Sequence, residues 1–242
     1  MAGDDVWNDR RTSFGGAAVD YARGRPSYPL DAVTWALPVG AQRVLDLGAG
    51  TGRLTERLLA AGMDVVAVEP LADMRAHIPP AAQTLDGTAE AIPLPDASVD
   101  AVVAGQAFHW FDIPQAMVEI TRVLRPGGTV GLFWNMLDDR EPWVAQLATA
   151  IVAEERLSAM TAETVPPYRD VVGLSDPQQR MFANPEPFDI DRLEAFVRSR
   201  SQTILLSPAD RDKQLELVRE LAPPGEFNLP LVCESWRGER LR

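Results

Sequence analysis

Residues 43–53, Arg-Val-Leu-Asp-Leu-Gly-Ala-Gly-Thr-Gly-Arg, constrain the fold of this chain more than any other stretch. Val44, Leu45 and Leu47 form a short apolar run that ends in glycines at alternate positions, Gly48, Gly50 and Gly52. Leu54, Leu58 and Leu59 then recur at helical spacing. The pattern predicts strand, tight turn, helix. Glycine takes positive φ without penalty and lets a ligand approach bare backbone. The helix start behind it offers unpaired N–H groups to a polar or anionic ligand group. Such a turn holds a small molecule at the C-terminal edge of a parallel sheet. The spacing is G-x-G-x-G, which is neither the dinucleotide G-x-G-x-x-G nor a P-loop. Asp46, two residues before Gly48, aims a carboxylate at the turn. That suits a cationic amino group and repels a pyrophosphate. An ordinary strand–helix turn explains one glycine well and three poorly.

Asp-Leu-Gly-Ala-Gly-Thr-Gly resembles motif I of the class I S-adenosylmethionine (SAM)-dependent methyltransferases. The resemblance implies an α/β, Rossmann-like fold. Its sheet has seven mostly parallel strands with an antiparallel final strand, helices on both faces and a helical cover. It also implies SAM as cofactor, S-adenosylhomocysteine as its product, and Asp46, Gly48, Ala49, Gly50 and Gly52 as cofactor contacts. Asp64-Val-Val-Ala-Val-Glu-Pro is a second buried strand ending in Glu69, seventeen positions after Gly52. A carboxylate there accepts two hydrogen bonds and suits the vicinal ribose hydroxyls, with Pro70 beside it. Met74, on a short helix from Leu71 to His77, reads either as core or as a neighbour of the adenine. Gly87-Thr-Ala-Glu-Ala-Ile-Pro-Leu-Pro-Asp-Ala-Ser-Val-Asp resembles the family's segment along the adenine edge. Thr88 stands where many relatives carry Asp, the Ala89 amide is its companion, and Glu90 holds the loop.

Val99–Ala104 predicts a fourth strand running into Gly105-Gln-Ala-Phe-His-Trp. By the resemblance this strand ends beside the transferred methyl, with Gln106 at the methionine end. His109 and Trp110 stand at the pocket mouth. His109 reads either as a structural histidine or as a substrate contact or general base, its ordinary pKa of ~6.5 permitting proton transfer. Ile113–Leu124 is an amphipathic helix, Arg125-Pro-Gly-Gly a stop signal, and Thr129–Trp134 a fifth strand closed by Trp134 and Asn135 on the substrate side. Further on, the pattern predicts a helix over 143–157, an irregular stretch over 158–178 and a strand over 180–188. Helices over 190–198 and 209–221 and a final strand over 227–236 follow.

Residues 1–20 read as a loosely packed lead-in. Tyr21-Ala-Arg-Gly-Arg-Pro-Ser-Tyr-Pro then places two tyrosines and two arginines beside two prolines. One reading is a loop whose aromatics pack on the domain. The other is a lid, with Arg25 forking onto a carboxylate. Tyr-x-x-x-Arg-Pro-x-Tyr-Pro is similar to the segment ahead of motif I in the trans-aconitate methyltransferase-like branch. That similarity puts Tyr21 and Arg25 with the cofactor and Tyr28 with the substrate. The implied layout is one methyltransferase domain: a lid segment over 1–29, a SAM-binding core over 30–135, a helical cover over 136–225 and a final strand over 226–242.

A net charge of −12 over 242 residues is adverse to nucleic acid and to anionic membranes. One cysteine, Cys233, excludes an internal disulfide and a thiolate cluster, and two histidines disfavour zinc. The N-terminus lacks a signal core and no apolar run approaches the ~20 residues of a membrane helix, so the expectation is a cytoplasmic monomer or homodimer. The function expected is methyl transfer from SAM to a small molecule, with a carboxylate or hydroxyl oxygen as acceptor and no metal. Methyl transfer from a sulfonium needs alignment more than acid catalysis. A SAM-binding sensor or partner subunit without methyl transfer is the main alternative. A nicotinamide dehydrogenase is disfavoured by the glycine spacing and Asp46.

Overall fold

The glycine turn sits at the end of the middle strand of a large sheet. The computed structural model describes residues 18–151 and 167–241. These divide into two units. One comprises residues 27–135, 167–182 and 233–241, the other residues 18–26, 136–151 and 183–232.

The first unit is built on β1 (Arg43–Leu47), β2 (Asp64–Val68), β3 (Gln83–Leu85), β4 (Val99–Gly105), β5 (Leu124–Leu137), β6 (Gln178–Ala183) and β9 (Leu231–Glu239), in the order β3-β2-β1-β4-β5-β9-β6. β1 pairs in parallel with β2 and β4, β2 with β3, and β4 with β5. One strand of the sheet is antiparallel. The period-2 alternation of the central strands sorts side chains between two cores. Leu45, Leu47, Val66 and Val68 pack with Ala116, Met117, Ile120 and Val123 of helix α5 (Ile113–Val123). Val44, Val65 and Ala67 pack with Ala32, Val33 and Ala36 of α2 (Leu30–Ala36) and Leu54 and Leu58 of α3 (Arg53–Ala60). Both sheet faces are therefore covered, which is why β1, β2 and β4 read as continuous apolar runs. The short helix α4 is trimmed to Ala72–Arg75.

Three boundaries differ from the sequence reading. Arg125-Pro-Gly-Gly follows the end of α5 at Val123, as expected of a stop signal, but it lies inside β5, as a bulge. Val99 pairs Leu124, and the next register pair is Ala101 with Thr129. Gly127 takes φ +80°, its amide donates to Arg240 O at 2.9 Å, and the Arg240 amide donates to Gly128 O at 2.7 Å. The extra residues are thus held by pairing, not released as a turn. The strand expected over 180–188 is two strands, β6 and β7 (Glu186–Phe188), because Pro185 between them has no ladder donor. The strand expected over 227–236 is likewise split at Pro230, into β8 (Phe227–Leu229) and β9.

The second unit contains α1 (Ala18–Gly24), α6 (Pro142–Ile151), α7 (Ile190–Arg198), the short α8 (Ser201–Ile204), α9 (Pro208–Leu221) and the antiparallel pair β7–β8. The helix expected over 143–157 is described to Ile151, and the rest of it, with residues 158–166 of the irregular stretch, lies outside the described residues. Most of the lead-in lies outside them too. Leu147, Ile151, Phe188, Leu193, Phe196, Leu215, Val218 and Leu229 form this unit's core. Asp189 and Ser207 cap α7 and α9 by accepting from the Arg192 and Asp210 amides. Among the described residues no helix is long and apolar enough to cross a membrane.

Candidate active site at the glycine turn

The ends of β1 and β2 lie side by side, Leu47 opposite Val68, and the glycine turn hangs from that pair. The Gly48 and Ala49 amides both donate to Val68 O, at 2.9 and 3.1 Å. Gly48, Gly50 and Gly52 take φ of +70°, +57° and +88°. A Cβ on Gly48 would stand 2.8 Å from the Ala107 methyl, and one on Gly52 2.7 Å from Pro79. Conformation and space both require glycine at these two positions.

Asp46 is fully buried on β1. Its Oδ2 accepts from the Thr55 hydroxyl at 2.6 Å, while Oδ1 is buried with no hydrogen-bond partner. Burial raises its pKa to about 7, against the lowering effect of Thr55. The Thr51 hydroxyl, inside the turn, is also buried without a partner. Two buried polar atoms without partners at one glycine turn can each bond to a polar ligand group. A ligand ammonium fits Asp46 Oδ1 both as donor and as counter-charge, so the residues fit SAM.

Glu69 closes the other side. Its two carboxylate oxygens each accept one amide, from Gly50 and from Leu71, both at 2.9 Å. Each oxygen keeps a lone pair for a ribose hydroxyl. Burial raises the Glu69 pKa, opposed by those two amides and by Arg75. Arg75 spans the strand end, donating to Glu69 O at 2.6 Å, to Pro70 O at 2.9 Å and to the Asp86 carboxylate at 3.2 Å. Met74 beside it is buried. Thr88 is exposed and Ala89 buried on the loop that follows β3.

At the adjacent strand ends Gly105 of β4 lies opposite Phe133 of β5. Gln106 takes φ +55°, uncommon for a side-chain-bearing residue, and its amide donates to Phe133 O at 2.8 Å. Its Nε2 donates to Asn135 O at 2.8 Å, and Asn135 Nδ2 donates to Ser27 O at 2.8 Å. A 3₁₀ turn over Phe108–Trp110 follows. There the Trp134 indole N–H donates to His109 Nδ1 at 3.4 Å, and the His109 and Trp110 rings lie 4.7 Å apart. Tyr28 is buried, 5.8 Å from the Phe133 ring, and its hydroxyl stands where a Cβ on Gly105 would be.

Tyr21 and Arg25 belong to the other unit. Arg25 donates to Ser199 Oγ at 3.0 Å and to Ser199 O at 2.8 Å, with its guanidinium 4.8 Å from the Tyr21 ring. The fork expected to meet a ligand carboxylate is engaged with the end of α7. Thr51, Thr55 and Arg75 escaped the sequence reading. Thr55 had a signal: a hydroxyl between Leu54 and Leu58 on the buried face of α3, where it needs a partner. Among the described residues no cluster of His, Cys, Asp or Glu is arranged to hold a metal.

This sheet order, turn and pair of carboxylates define a class I SAM-dependent methyltransferase, and comparison with known proteins agrees. Residues 45–132 match a family described as a methyltransferase domain. A Mycobacterium tuberculosis protein known as an uncharacterized methyltransferase is 45% identical over 88% of this chain and 86% of its own length. A malonyl-[acyl-carrier protein] O-methyltransferase from Methylococcus capsulatus is 43% identical over 36% of this chain and 34% of its own. A proposed type II methyltransferase structure from Anaeromyxobacter dehalogenans has the same fold, with a TM-score of 0.61 at 22% identity over 89% of this chain and 97% of that one. The chain belongs to the SAM-dependent methyltransferases of class I and uses SAM as its cofactor.

Proposed function

We propose that the methyl acceptor is a small molecule and that the atom methylated is oxygen, of a carboxylate or a hydroxyl. Bound SAM supplies an electrophilic methyl on a sulfonium. In this reading Asp46 Oδ1 accepts from the cofactor's amino group, Glu69 from the ribose hydroxyls, and the Thr88–Ala89 segment borders the adenine. Gln106 stands at the methionine end.

The observation that carries the oxygen assignment is the Trp134–His109 hydrogen bond. Accepting at Nδ1 makes the neutral imidazole the Nε2–H tautomer, a donor and not a base at that nitrogen. A donor orients an oxygen that is already ionised, which favours a carboxylate; a hydroxyl, like an ammonium, must first lose its proton to a base. The Methylococcus relative, an O-methyltransferase by name, supports the same reading. The net charge of −12 supports a small substrate over a nucleic acid.

The test is methyl transfer from labelled SAM to a panel of small carboxylates, phenols and amines, with native protein and His109→Phe. Oxygen acceptors are expected to be turned over and to lose kcat/KM in the variant. Turnover of amines alone refutes the assignment. Tight S-adenosylhomocysteine binding with no turnover of any acceptor returns the sensor reading to first place.

A further inference from the structure

The loop from Gly87 to Ser98 has no regular structure of its own, yet it is held at many points. Pro93 and Pro95 remove two amide donors; the Ile92 carbonyl accepts the Leu94 amide at 2.8 Å, and the Leu94 carbonyl lies between the two prolines. Arg122, on the last turn of α5, serves both. Its Nη2 donates to Ile92 O at 3.0 Å and to Glu119 Oε2 at 2.7 Å. Its Nη1 donates to Leu94 O and to the Asp96 carboxylate, both at 2.8 Å. Its Nε donates to Glu119 Oε1 at 2.7 Å. A guanidinium has five N–H donors, and all five are used. Glu119 returns the contact by accepting the Ile92 amide at 2.9 Å. The Ala97 and Ser98 amides donate to Arg122 O and Val123 O, and the Asp112 amide donates to Glu90 Oε1 at 2.9 Å. Arg122 keeps 29% of its side-chain surface exposed and Glu119 19%, so both are half-buried at the rim of the loop.

We infer that Arg122, braced by Glu119, is a positioning residue for cofactor binding: its planar fork fixes the Ile92–Asp96 segment and so holds Thr88 and Ala89 in place along the adenine before it arrives. The inference rests on the reading of Gly87–Ser98 as the adenine edge. A loop already ordered loses no further entropy when the nucleoside docks. Lysine keeps the charge but supplies a point donor in place of a fork, and cannot span two carbonyls and two carboxylates.

The experiment is calorimetric titration of native protein, Arg122→Lys and Thr88→Arg with S-adenosylhomocysteine and with 5′-methylthioadenosine, which lacks the amino-acid end. Amide hydrogen exchange over residues 87–98 is followed alongside. Arg122→Lys is expected to speed exchange of the Ile92 and Leu94 amides and to raise both dissociation constants by the same factor, about tenfold. A merely structural brace speeds exchange but leaves both constants within twofold, and that result overturns the inference. Thr88→Arg separates the two failures. If it abolishes binding of both ligands while Arg122→Lys leaves them unchanged, the adenine edge is right and the brace is not a positioning device. If Thr88→Arg leaves both ligands bound, the adenine reading falls and the inference with it. Should Arg122→Lys not fold, Glu119→Gln removes one charged partner and is expected to move both constants in the same direction by a smaller factor; no change in either then overturns the inference.

Discussion

Replacing Asp46 by Asn is expected to make the ligand-free protein more stable at neutral pH and worse at binding its cofactor. Asp46 is fully buried and its carboxyl is raised from 3.8 to about 7. Between those values the unfolded chain has released the proton and the native state still holds it. The native state therefore binds more protons, and stability falls as pH rises, until the native carboxyl has itself ionised. Stability from the neutral carboxyl is present in full below about pH 4 and lost by about pH 7. Over the two units from pH 5 to 7 the loss is about 3 kcal/mol, at 1.36 kcal/mol per unit. Asn keeps an acceptor for Thr55 and carries no proton to lose. Urea denaturation of both proteins at pH 5 and pH 8 isolates the effect, since Glu69 and every other carboxylate are common to both. The native-minus-variant difference should drop by about 3 kcal/mol across that range. Parallel stability profiles, within about 0.5 kcal/mol, refute the argument that an uncompensated buried charge sits at this turn. The cofactor's ammonium favours the ionised form, so native affinity for S-adenosylhomocysteine should rise more steeply from pH 5 to pH 8 than that of Asp46→Asn, which keeps only the dependence from Glu69.

Other substitutions give separate checks. Glu69→Ala should weaken S-adenosylhomocysteine binding by about 1–3 kcal/mol in calorimetry with the far-ultraviolet spectrum unchanged; an unaltered dissociation constant takes Glu69 out of the site. Gly105→Ala should cost about 1–3 kcal/mol, because its methyl would occupy the place of the Tyr28 hydroxyl. Adding Tyr28→Phe should recover only part of that loss in thermal unfolding, because the ring carbon that bore the hydroxyl still stands 2.7 Å from the new methyl; no recovery disproves the contact. Tyr168→Phe should stabilise the protein by about 1 kcal/mol, since the Tyr168 hydroxyl is buried with no hydrogen-bond partner. A destabilised Tyr168→Phe shows that the hydroxyl is satisfied after all.

The glycine turn and the two carboxylates that flank it were legible in the sequence because local chain order builds them. Asp46, the three glycines and Glu69 all lie within two βα units, where a strand end and a helix start are neighbours by covalent connection. The same logic carried β1, β2 and β4, whose burial on both faces leaves unbroken apolar runs. What escaped depends on partners distant in sequence. Gly127 and Gly128 spell a turn locally, and only pairing with Arg240 makes them a bulged strand. Pro185 and Pro230 split strands that periodicity alone joins. Arg25 looked available for a ligand because nothing near it in sequence announces Ser199. Nothing near Arg122 in sequence announces its bonds to the carbonyls of Ile92 and Leu94.

The strand order has a consequence for synthesis. Among the described residues, β6 stands at the end of the sheet order and is bordered by β9 alone, whose first residue is Leu231. At ribosomal rates of about 5–20 residues per second, β6 waits roughly 2–10 s for that neighbour to be made. During that interval it has no partner strand, and in the finished sheet its outer side is still an edge, the kind of surface on which chains stick to one another. Its sequence, Gln-Gln-Arg-Met-Phe-Ala followed by Asn-Pro, is polar at the start and stopped by a residue that cannot extend a ladder. The strand that ends the sheet is also poorly suited to recruiting a stranger.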